Sequence, residues 1–128
     1  MPRIALLFFK TATIFLIIGV AHGLQMGISH DHSTMPAHAH INLLGWVTSA
    51  IFGVYYALQP AKAGWRTAMA HFVVYVAGMV VMLPALYLNY AGYPQFEPLL
   101  AGGSMIVGIG ILIFAYVIFS PDNQRASA

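Results

Sequence analysis

The sequence predicts an all-α integral membrane protein built from four transmembrane helices. Composition, segment length and charge layout each lead there. Of 128 residues, 60% are hydrophobic and only 6% are charged, whereas a soluble domain carries about 25% charged residues. The apolar residues gather into four stretches of about 20 residues each, the length that crosses a bilayer as a helix. These stretches run over about 4–26, 37–58, 67–89 and 99–119. Short connections and a flexible tail at 120–128 make up the rest, so residues 1–128 form one transmembrane domain.

The charges orient the bundle. Arg3 and Lys10 precede or open the first stretch, Lys62 and Arg66 lie in or beside the connection between the second and third, and Arg125 is in the tail. The opposite side carries Asp31 and Glu97 and no Lys or Arg. Basic residues stay on the cytoplasmic side of a membrane, so both termini are expected in the cytoplasm, in a bacterial or archaeal inner membrane. Lys10, inside the apolar run, is expected to snorkel to the inner face. No basic cluster suggests nucleic acid. There is no cysteine, which excludes disulfides, iron–sulfur clusters and thiolate zinc sites.

The first stretch is longer than the apolar core of a signal peptide, and Ala21-His22-Gly23 is a poor cleavage site. It is therefore expected to remain as a helix. In the loop that follows, Ser33 or Thr34 is expected to cap the second helix, with Pro36 in its first turn. Pro60 and Gly64 end that helix and release the third. Pro84 is expected to kink the third helix near its outer end. Tyr90, Tyr93 and Phe96 suit an aromatic belt at the interface. Gly102, Gly103, Ser104, Gly108 and Gly110 suit close helix packing in lipid. No internal repeat is present.

Five of the six histidines fall on the outer side: His22, His30, His32, His38 and His40. His71 sits alone at the inner end and is expected to anchor there or to be hydrogen-bonded. His30-Asp31-His32 is a loop trio able to bind a divalent metal, or simply to be solvated. His22 lies at a depth near His40, as a third ligand or a supporting donor. His38 and His40 open the second stretch. Two apart on a helix, they diverge by about 200° and cannot share one metal. His38 shares a face with Asn42, Gly45, Ser49, Gly53 and Tyr56; that face is small and polar. His40 shares one with Leu43, Leu44, Val47, Ile51, Val54 and Leu58, which suits lipid except for the imidazole. Polar groups at membrane depth read by default as functional. An apolar disc with a metal centre, such as haem b, would satisfy both faces.

The run HAHINLLGWVTSAIFGVYYALQP, His38 to Pro60, resembles the tenth helix of the catalytic subunit of haem-copper oxidases, most of all the cbb-type. The matching positions are His38, His40, Leu44-Gly45-Trp46, Phe52-Gly53, Tyr56 and Pro60. His40 to Leu44 also resembles the haem-ligating second helix of nitric oxide reductases. The whole chain is similar to short proteins of the subunit-I-like kind. In that family the first histidine binds the high-spin haem and the second the low-spin haem, and twelve helices form three arcs of four. The resemblance implies that this chain equals one arc and assembles as a homotrimer. It implies haem b held by His38 of one copy and His40 of the next, with His22, Asn42 and Trp46 near the cofactor. The chain departs from the family in lacking a recognisable copper histidine set, an outer arginine for haem propionates, and acidic proton pathways. Oxygen reduction with proton pumping is therefore not expected. The expected function is electron transfer, with an unidentified redox partner, or binding of a diatomic gas. The alternatives are a copper- or zinc-binding protein using His22, His30, His32 and His40, and a non-catalytic subunit or assembly partner of a respiratory oxidase.

Overall fold

The computed structural model describes residues 1–122. Its helices are α1 (Arg3–Ser29), α2 (Met35–Leu58), the short α3 (Pro60–Ala63), α4 (Arg66–Tyr90) and α5 (Glu97–Phe119). One 3₁₀ turn, Pro94–Phe96, leads into α5. All but α3 are long and apolar enough to cross a membrane, so the chain is an all-helical protein with four membrane-spanning helices. Even α5, with 23 residues, is about 34 Å long at about 1.5 Å per residue, enough for a hydrocarbon core of about 30 Å. Each helix extends slightly beyond the apolar stretch that announces it. Most of the expected tail, including Arg125, lies outside the described residues.

The chain runs up and down. One end gathers the start of α1, the α2–α4 connection and the end of α5; it carries Arg3 and Arg66 and is called the arginine end. The other gathers the α1–α2 and α4–α5 connections and is called the histidine end. His30 closes α1 in the left-handed conformation, with φ at 57°.

Without a hydrophobic drive between helices in lipid, close backbone approach does the packing. A Cβ on Gly45 would stand 2.6 Å from the Phe15 ring, which joins α2 to α1. A Cβ on Gly103 would stand 2.7 Å from the backbone nitrogen of Met82, and one on Gly110 2.9 Å from Cα of Tyr75, so α5 lies directly on α4. Gly102 and Gly108 face open space, so only part of the expected small-residue seam is a contact. α4 continues helically through Pro84, which is exposed.

His71 is fully buried, which corrects its expected place at the interface. Phe8 from α1, Phe52 and Tyr56 from α2 and Phe114 from α5 close around its ring, with centroids at 5.0, 4.5, 5.8 and 5.1 Å. The aromatic cluster is where all four long helices meet. Beside it, Lys62 is buried and its Nζ donates to the carbonyls of Val117 (2.9 Å) and Ile118 (3.2 Å). The same ammonium pairs with Asp122 at 3.4 Å. It thereby satisfies the last carbonyls of α5, which lack intrahelical partners.

Candidate histidine site

α2 is not uniform. From Ile41 to Thr48, directly after His38-Ala39-His40, it is wound as a π-helix. Such windings are rare and recur at functional sites. Side chains support the widened turns. Thr48 Oγ1 donates to Leu43 O at 2.8 Å, Ser49 Oγ to Leu44 O at 3.2 Å, and Tyr75 Oη from α4 to the same Leu44 carbonyl at 2.9 Å.

The two faces of α2 separate as the spacing predicts, with one exception. Gly45, Ser49, Gly53 and Tyr56 are buried, and His38 and Asn42 half-buried. Leu43, Val47, Ile51, Val54 and Leu58 are exposed, as is His40. Leu44, expected on the outward face, is half-buried because it packs against the buried core.

His38 turns towards α1. A Cβ at Gly23 would stand 2.9 Å from its Cε1, so glycine there admits the imidazole. Its ring meets that of His22 edge-on, centroids 5.6 Å apart. Asn42 donates its amide to the His38 carbonyl at 2.9 Å. The same Nδ2 lies 3.4 and 3.5 Å from the two ring nitrogens. That near-equality means it is aimed along neither lone pair, and these contacts are weak.

His22 is half-buried on α1. Its Nε2 shares a 2.8 Å hydrogen bond with Thr34 Oγ1, while its buried Nδ1 has no partner among the described residues. The Tyr87 ring of α4 stands edge-on at 5.3 Å. Thr34 occupies the N-cap position of α2 yet makes no side-chain cap. The cap expected of Ser33 or Thr34 is absent because the Thr34 hydroxyl is engaged by His22. The Thr34 carbonyl still receives the N–H groups of Ala37 and His38.

His40 is built differently. Its Nδ1 lies 2.7 Å from the carbonyl of Pro36, one turn earlier. A carbonyl only accepts, so Nδ1 carries the proton. In a neutral imidazole this leaves the lone pair on Nε2. Metal-ligating histidines are commonly oriented this way, by a hydrogen bond from the other ring nitrogen.

The remaining candidates lie apart. His30 and His32 are exposed in the loop, and Trp46 is half-buried about two turns beyond the histidine pair. Among the described residues no three His, Cys, Asp or Glu side chains come together as a metal site. The copper or zinc set of His22, His30, His32 and His40 is thus not assembled within one chain.

Sequence reasoning missed the groove between α1 and α4. It encloses about 970 Å³, at the upper end of small-molecule pockets. Ile14, Ile18, Met79 and Leu83 line its length, with His22, Gln25 and Tyr87 at the histidine end. No spacing in either helix announces it, since it exists only where the two diverge. Compared with known proteins, the chain matches no family model, no curated protein and no solved structure.

Proposed function

We propose that this chain is a haem b-binding membrane protein for electron transfer or diatomic gas binding. Its haems are held by histidines where copies of the chain meet, in a homotrimer. The observation that carries this reading is His40. Its Nδ1 is tied to Pro36 O, its Nε2 is left as the donor, and its face is otherwise exposed Leu43, Val47 and Ile51. A bare imidazole lone pair on a lipid-facing helix is unfavourable without a partner. Iron is a partner that also accepts an apolar surround.

The donor set fits the group. His40 supplies one imidazole from one copy, and His22 and His38 form the pair available on the other. The unpartnered Nδ1 of His22 makes it a ligand candidate alongside His38, whose ring is turned into its own subunit. When bound, haem would supply one-electron transfer or diatomic gas binding. The residues do the rest. Pro36 fixes the His40 ring, Gly23 admits His38, and the apolar side chains exclude water and lower the local dielectric. The resemblance of His38 to Pro60 to an oxidase haem-binding helix supports the same reading, with three four-helix copies making twelve helices. In this reading the arginine end is cytoplasmic and the histidine end external.

The test is the reduced absorption spectrum of the purified protein, with haem and protein quantified together. A b-type band is expected, and His40→Ala should abolish it. A wild-type protein that takes up no haem, or an unchanged band in His40→Ala, would end the reading.

A further inference from the structure

We propose that the arginine end carries a binding site for the phosphate of an anionic phospholipid, between Arg3 and Arg66. A groove of about 460 Å³ lies there, lined by both arginines with Trp65, Pro60, Gly64 and Met69. It is at the opposite end from the histidines and does not depend on haem.

The argument starts from an unfavourable placement made twice. Arg3 is the first residue of α1 and Arg66 the first of α4. The start of a helix carries partial positive charge, so a cation there is disfavoured and an anion favoured. Neither helix relieves this itself, since neither first turn holds an acidic residue and neither N-cap makes a side-chain bond. Both arginines line one concave surface that already favours negative charge.

The chain does not supply that charge among its described residues. Of its three acids, Asp31 and Glu97 are at the histidine end. Asp122 is at this end but is paired with Lys62. The arginines thus face a groove with no carboxylate among its lining residues. A phosphate matches them, because guanidinium groups grip phosphate oxygens in a fork-to-fork geometry.

The surroundings favour a lipid phosphate over a free one. The groove sits where two membrane-spanning helices begin, at the level of headgroups. Exposed Met69 continues its wall onto the apolar flank, where acyl chains run. Trp65 lines the same groove, and tryptophan favours this interfacial level. Basic pockets between membrane helices are suited to anionic headgroups.

The experiment is native mass spectrometry of the full chain in detergent. Phosphatidylglycerol and phosphatidylcholine with the same acyl chains are added in equal amounts. Retention of phosphatidylglycerol is expected to exceed that of phosphatidylcholine, with Arg3→Gln and Arg66→Gln each lowering the preference about fivefold. Lys10→Gln, outside the groove, is expected to leave it intact. Equal retention of the two lipids overturns the proposal, as does a loss in Lys10→Gln equal to that of the arginine variants. Displacement of the lipid by millimolar inorganic phosphate also overturns it, assigning the site to a soluble anion. If the glutamine variants fail to fold, Arg3→Lys and Arg66→Lys decide: they keep the charge without the fork. A lower retention of phosphatidylglycerol then supports the site and an undiminished one overturns it.

Discussion

Tyr56 Oη and His71 Nδ1 share a 3.0 Å hydrogen bond in the middle of an aromatic cluster to which all four long helices contribute. Both side chains are fully buried, and the other ring nitrogen of His71 has no partner among the described residues. The bond ties α2 to α4 where no water is available to replace it.

Tyr56→Phe strands the remaining polar atom, and loss of one buried partner costs about 1–3 kcal/mol. The double variant Tyr56→Phe/His71→Phe removes both polar groups and should recover part of that loss. Thermal unfolding in detergent reads both. A double variant less stable than the sum of the two singles would contradict the pairing.

Gly103 and Gly108 lie five residues apart on α5 and should answer differently to the same change. A Cβ at Gly103 meets the Met82 backbone, whereas one at Gly108 meets nothing. Gly103→Ala should destabilise by about 1–3 kcal/mol through overpacking. Gly108→Ala should be neutral or stabilising by up to about 1 kcal/mol through helix propensity. Matching melting temperatures would mean that α4 and α5 do not touch as described.

Asp31 should titrate below the ordinary aspartate range, because its carboxylate accepts the Ser33 N–H at 3.0 Å. A depressed folded pKa means the loop bond is fully present above the unfolded value. It is lost as pH falls through the lower folded one. The Ser33 amide resonance, followed by NMR from neutral pH downwards, should therefore shift only below the usual aspartate midpoint. A midpoint at or above the usual value would refute the bond.

Much of the architecture is legible in the sequence because hydrophobic length and face periodicity are local properties. The outward stripe from Leu43 to Leu58 and the buried stripe through Gly45, Gly53 and Tyr56 follow from spacing alone. The diversion of Thr34 from its cap to His22 does not, since it depends on α1 and α2 meeting at their ends. The burial of His71, which is hydrogen-bonded as expected, is hidden for a similar reason. Its distance from the helix start suggests the interface, but Phe8 and Phe114, far away in sequence, cover it. One signal was available: His71 and Tyr75, like Phe52 and Tyr56, are four apart, so each pair forms a ladder on one helix face.

The π-helical stretch Ile41–Thr48 makes α2 a helix with two phases. Its histidine end is keyed to α1 through Gly23, and its other end to the aromatic cluster through Tyr56. The wider turns absorb the offset between these two settings. Ordinary winding over the same residues would swing His38 and His40 by on the order of 100° relative to Tyr56. The imidazole that faces outward and the one that faces α1 would then both miss their places, with every contact of the aromatic cluster intact. The direction in which the histidines point is thus a matter of winding as much as of chemistry.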